Sequence, residues 1–192
     1  DFDGHAIIHD KWSLIKRFDH DTAAFTQGLI YHDGRLVESN GMYGESDVRI
    51  YEDPKLDSEA LVLEKKVDLP SDFFGEGLCL FQDSNGKDRY IQLTWQEQTA
   101  FVYDMDLNVV QQFNYTTTTT EGWGITFDQI EKVFYVSDGS DTIMVWDLQF
   151  KLIRKMRVTI MLPNQQQNKK PYLNLINEME WDPNDGTILA NI

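Results

Sequence analysis

The sequence predicts an all-β protein, a β-propeller of four-stranded blades. Three observations carry this. A polar–glycine–apolar opening recurs at Gln27-Gly28-Leu29-Ile30-Tyr31, Glu76-Gly77-Leu78-Cys79-Leu80, Glu121-Gly122-Trp123-Gly124-Ile125-Thr126 and, less regularly, Asn177-Glu178-Met179-Glu180-Trp181, with first residues 49, 45 and 56 positions apart. The openings are followed by short runs rich in β-branched and aromatic residues, which read as strands. Asp, Asn, Gly and Ser separate those runs as turns do. A period of about 40 to 50 residues holding four strands is the signature of a propeller blade.

Along the chain, Trp12-Ser13-Leu14-Ile15-Lys16-Arg17-Phe18 resembles a fourth strand but precedes the first opening. A strand over about 12–18 is therefore expected to complete the blade at the far end of the ring. The second runs are Arg35–Ser39, Tyr90–Trp95, Val133–Ser137 and Thr187–Ala190. The third runs end in an aromatic and an acid, at Tyr51-Glu52, Tyr103-Asp104 and Trp146-Asp147. Val109–Phe113 and Leu152–Met156 are fourth runs. The aromatics of the third runs are expected to pack between blades. The sequence stops at Ile192, inside the second strand of the fourth repeat, so residues 1–192 are expected to be one incomplete propeller domain, truncated in that repeat. Two stretches fall outside the period. Thr116–Thr120 reads as a solvated loop between blades, and Pro163–Pro171 as an insertion that lengthens the third spacing.

Composition narrows the function classes. Hydrophobic residues make up 41% of the 192 residues, enough for a packed core. Asp and Glu number 32 against 17 Lys and Arg, and the net charge of -15 repels nucleic acid and anionic membrane surfaces. No apolar run reaches the roughly 18 to 20 residues that cross a bilayer as a helix. The single cysteine, Cys79, rules out an intrachain disulfide and reads as a buried thiol in a first strand. His5, His9, His20 and His32 lack a metal-ligand spacing and read as structural or surface residues. Asn114-Tyr115-Thr116 is a glycosylation sequon.

In a propeller the first strand of each blade lines the central channel, and loops at one mouth carry the site. The opening residues Gln27, Glu76, Glu121 and Asn177 therefore converge, although far apart in sequence. A carboxylate there, among Phe25, Phe74, Trp95 and Trp123, is expected to be desolvated and to titrate toward neutrality, which suits a proton shuttle. Asp138-Gly139-Ser140 reads as a turn with glycine at positive φ, whose side chains are candidates for the rim of the site.

Seven motifs in order carry a specific resemblance: Ala24–Leu29, Glu38–Ser46, Phe74–Leu78, Leu93–Trp95, Glu121–Gly124, Ser137–Ser140 and Ile176–Glu180. From about Trp12 to the last residue the chain resembles the plant and bacterial type of glutamine cyclotransferase. The resemblance implies a five-bladed propeller, a secreted or exported setting, and conversion of N-terminal glutamine into pyroglutamate with release of ammonia. It implies no cofactor and no catalytic metal, peptides or proteins with N-terminal Gln as partners, and action as a monomer. It places the catalytic carboxylate on Glu76 and substrate-binding side chains on Phe25, Gln27, Trp95, Trp123 and Asn177. It also places a further tryptophan just beyond Ile192 and a lysine later.

In that reading Glu76 takes a proton from the attacking amine and returns one to the departing nitrogen. Gln27 and Asn177 hydrogen-bond the substrate amide or the oxyanion, and the aromatics exclude water. The alternative is a non-catalytic propeller that binds peptides or proteins at its channel mouth. A third reading, a metal-dependent lactonase or sugar-acting propeller, needs a metal set drawn from Glu76, Glu121 and Asn177.

Overall fold

A computed structural model describes residues 5–6, 13–160 and 171–192. The chain opens with the short strand β1 (His5–Ala6). The first blade is β2 (Thr26–His32), β3 (Arg35–Asn40), β4 (Asp47–Tyr51) and β5 (Leu63–Asp68), antiparallel and in chain order. The second is β6 (Gly75–Gln82), β7 (Asp88–Thr94), β8 (Thr99–Tyr103) and β9 (Val109–Asn114). The third is β10 (Ile125–Asp128), β11 (Val133–Val136), β12 (Thr142–Trp146) and β13 (Leu152–Arg157). Next, β14 (Thr159–Ile160) pairs in parallel with β1, matching His5 to Thr159. The antiparallel pair β15 (Met179–Asp182) and β16 (Thr187–Ala190) begins the fourth repeat. This is the expected all-β architecture of four-stranded propeller blades.

The burial pattern explains why these residues choose strands. Every residue of β4, β8 and β12 is buried, as third strands are when blades cover both faces, while β5, β9 and β13 share one pattern of mostly exposed residues. The acid that ends a third strand makes the turn to the fourth. Asp104 accepts the N–H groups of Asp106 and Asn108 at 3.0 and 2.9 Å, and Asp147 those of Gln149 and Lys151, both at 2.9 Å.

The core lies in the seams between blades, one apolar cluster to a seam. Ile30, Val37, Val48 and Ile50 of the first blade meet Leu78, Tyr90 and Phe101 of the second. Phe81, Ile91 and Leu93 meet Ile125, Phe134 and Trp146, and Tyr135 and Val145 meet Met179 and Trp181. Tyr103 and Trp146 belong to these seam clusters, as expected, whereas the Tyr51 hydroxyl bonds within its own blade to Glu38 at 2.8 Å. Cys79 is a buried free thiol, and burial with the charges of Glu178 and Glu180 pushes it well up.

One expectation needs correction. No strand forms over 13–18, and Trp12 lies outside the described residues. A strand needs a ladder partner, and among the described residues β15 and β16 pair only with each other. The chain instead reaches the outer part of the first blade, where Asp19 bridges Ala60 and its N–H bonds Glu59 at 2.9 Å. The threonine run is anchored as well as exposed: the Asp138 carboxylate accepts the N–H groups of Thr118 and Thr119 at 2.7 and 3.0 Å. The inner part of the 163–171 insertion, 163–170, lies outside the described residues.

Candidate active site

In every repeat the opening polar residue falls where the first-strand ladder is broken. The register of β2 skips at Gln27, and that of β6 skips across Glu76 and Gly77. Glu121 precedes β10, and Asn177 precedes β15. A bulge re-aims the side chain it carries and releases its backbone groups from the sheet. Here those groups find partners across the seams. Gly77 N–H donates to the Trp123 carbonyl at 2.7 Å, and Leu78 N–H to Glu178 Oε1 at 3.1 Å.

A repeated clasp fixes two openings from behind. The Ser39 hydroxyl, near the end of β3, donates to the Glu76 carbonyl at 2.5 Å, and the Ser137 hydroxyl donates to the Asn177 carbonyl at 2.8 Å. Ser39 is held in turn by Gln92, whose Nε2 donates to it at 2.7 Å and whose Oε1 accepts from the Tyr103 hydroxyl at 2.8 Å. Each second-strand serine thus locks the start of the next blade's first strand.

The Glu76 side chain is 6% exposed, and none of the described residues donates a hydrogen bond to its carboxyl. Burial first, then the like charges of Glu121 and Glu97, push that carboxyl from 4.5 up to about 8. Glu121 goes the other way. Burial opposes its anion, but donors from Trp123, Trp95 and Gln96 outweigh it and hold it below the ordinary carboxylate range. Trp123 Nε1 lies 2.9 Å from Glu121 Oε2, and Gln96 Nε2 lies 3.3 Å from Oε1. Two neighbouring carboxylates with proton affinities pushed apart are a recognised acid–base arrangement.

Aromatic rings wall the same mouth. Phe74, two residues before Glu76, meets Phe25 at 6.3 Å, Tyr43 at 5.4 Å and Trp95 at 5.7 Å between centroids, all edge-on. Trp123 lies against the Asp138-Gly139-Ser140 turn. Gly139 has φ of 75°, and a Cβ there would stand 2.6 Å from the indole ring, so only glycine fits. That turn therefore packs directly against the Trp123 ring.

Of the residues read from the sequence, Phe25 and Trp95 are linked through Phe74, Trp123 and Trp95 are joined through Glu121, and the charge of Glu121 acts on Glu76. Gln27 is half-buried on the seam where β2 packs against β6, next to Gly28, which abuts Leu78. Asn177 sits on the seam between β10 and β15, with its carbonyl against Gly124 and its Oδ1 buried without a partner among the described residues. No hydrogen bond joins Gln27 or Asn177 to the Glu76 carboxyl among the described residues. Nor do any three described His, Cys, Asp or Glu side chains cluster as metal ligands. His20 takes a structural role, with Nε2 2.9 Å from the buried Glu38 carboxylate.

Three residues escaped the sequence reading. Tyr43 and Glu97 bond to each other at 2.7 Å beside Phe74. Glu178 accepts from Leu78 N–H and, at 3.3 Å, from Ile125 N–H, so one carboxyl ties three first-strand segments together. Its signal was visible as an acid between the apolar Ile176 and Met179. Burial pushes its carboxyl well above the ordinary range against the pull of those donors.

Comparison with known proteins gives one consistent result. The family model described as glutamine cyclotransferase matches residues 4–192. The glutaminyl-peptide cyclotransferase of Arabidopsis thaliana is 36% identical over 138 residues, which cover 71% of this chain and 39% of that protein. The crystal structure of Myxococcus xanthus glutaminyl cyclase superposes with a TM-score of 0.72 at 29% identity, covering 94% of this chain and 66% of that one. The chain thus spans less than two thirds of the length of each of these relatives.

Proposed function

Because this chain belongs to the glutamine cyclotransferase family, we propose that it cyclises the N-terminal glutamine of peptides and proteins to pyroglutamate, with Glu76 as general acid and base. The observation that carries the reading is a carboxyl 6% exposed, free of hydrogen-bond donors among the described residues and pushed up to about 8, beside a row of aromatic rings. A group titrating near the working pH both accepts and returns protons efficiently.

The reaction is intramolecular, so the site need only hold the α-amine against the side-chain amide carbon and move protons. The neutral amine attacks that carbon, the ionised Glu76 takes the proton the nitrogen sheds, and the C–N bond to the amide nitrogen breaks. Glu76 gives its proton to the leaving nitrogen, ammonia departs, and Glu76 is again ionised. Gln27 and Asn177 are the polar side chains assigned to hydrogen-bond the substrate amide or the developing oxyanion. Phe25, Trp95 and Trp123 pack the substrate's methylenes and exclude water. No step calls for a metal ion or cofactor. The family likeness supports an exported, monomeric protein.

Ammonia release from Gln-initiated peptides tests this. E76Q should lose about 10² to 10⁴ in rate, and a chelator should leave the parent's rate unchanged. Activity of E76Q within about threefold of the parent contradicts the role. Peptide binding without turnover by the parent would instead mark a binding module.

A further inference from the structure

The Glu97 carboxylate joins two blades at the mouth of the site. Oε1 accepts from the Tyr43 hydroxyl at 2.7 Å, Tyr43 being on the loop between β3 and β4 of the first blade. Oε2 accepts from the Phe74 N–H at 3.3 Å, just ahead of the bulge that carries Glu76. Its own loop between β7 and β8 is fixed by the Thr99 hydroxyl, which donates to the Glu97 carbonyl at 3.0 Å. Phe74 is the ring on which Phe25, Tyr43 and Trp95 all converge. The carboxylate therefore holds one neighbour of that ring and the backbone of the ring itself.

We propose that Glu97 is a positioning residue of this site: by bonding Tyr43 and the Phe74 backbone together it sets the aromatic wall, and it brings a second acid within electrostatic reach of Glu76. The proposal rests on the cyclisation reading for its effect on substrate, and on the Tyr43–Glu97–Phe74 contacts for its structure. A charge-bearing latch has two separable consequences. The contact fixes where the substrate's methylenes pack, so losing it weakens binding and raises KM. The charge disfavours the ionised form of Glu76, so losing it lets that group ionise at lower pH.

Three variants separate them, with ammonia release from a Gln-initiated dipeptide followed from pH 6 to 10. Y43F removes the hydroxyl and keeps the charge, E97Q keeps an acceptor for the hydroxyl and removes the charge, and E97A removes both. We expect Y43F and E97A to raise KM about tenfold with kcat changed less than about threefold. The rising limb of the kcat profile should move to lower pH in E97Q and E97A but stay in place in Y43F. The substrate's amine is common to all variants, so a shift between them belongs to the protein. Unchanged KM in both Y43F and E97A, or a limb in E97Q that coincides with the parent's, overturns the proposal. Where the parent itself shows no turnover, the cyclisation reading falls separately and thermal unfolding decides the latch. Losses of Tm in Y43F and E97A that fail to add in the double variant support it, and additive losses overturn it.

Discussion

Glu76 is a carboxyl whose folded environment favours the proton, and that has a consequence for stability as well as chemistry. Its value is raised from 4.5 to about 8, so its contribution to stability is fully present below about 4.5 and is lost as pH rises toward about 8. In that window the folded protein holds a proton that the unfolded chain has released. Relative to E76Q, which cannot titrate, the parent should lose about 1.4 kcal/mol of stability per pH unit across it. Urea unfolding of the two proteins at pH 5 and pH 8 measures this, and parallel curves would contradict it. The position of Glu76 was legible in the sequence because it repeats those of Gln27, Glu121 and Asn177, and its choice over Glu121 came from the family resemblance. Glu97 was not. It stands in a turn, outside the repeated opening, and its meaning comes from a bond to Tyr43, 54 positions earlier. Glu121 was read as an equivalent carboxylate, yet the donors around it, two of them indoles, give it the opposite proton affinity.

At the scale of elements, strand order and strand limits were largely legible because each blade repeats the same burial rhythm. Inside the repeats, the runs read as second, third and fourth strands lie on β-strands, displaced by no more than two residues. What periodicity missed is where the first strands stop being regular. The bulge at Glu76 and Gly77 depends on Trp123 and Glu178, residues of two later repeats, which no local pattern contains. A Cβ on Gly77 would stand 2.5 Å from both the Trp123 carbonyl oxygen and Glu178 Oε2. G77A should therefore destabilise the fold by about 1–3 kcal/mol and lower activity by displacing Glu76. G77A with parental Tm and parental rate would show that the seam yields freely. The N-terminal run 13–18 failed as a strand for a related reason: its apolar alternation was real, but a strand exists only with a partner to pair with.

Taken as a whole, the molecule gathers its candidate site residues where its blades meet. Consecutive first strands pack β2 on β6, β6 on β10 and β10 on β15, and each seam is filled by one apolar cluster. The candidate site collects its parts from all of them: Phe25 and Tyr43 from the first repeat, Phe74, Glu76, Trp95 and Glu97 from the second, Glu121 and Trp123 from the third, Asn177 from the fourth. The proposed function turns on this assembly keeping the carboxyl at 76 protonated near neutrality. Carbon-13 NMR titration of glutamate-labelled protein, with E76Q to assign the signal, measures it directly. The expected midpoint is about 8. A midpoint near 4.5, the ordinary value, would contradict it.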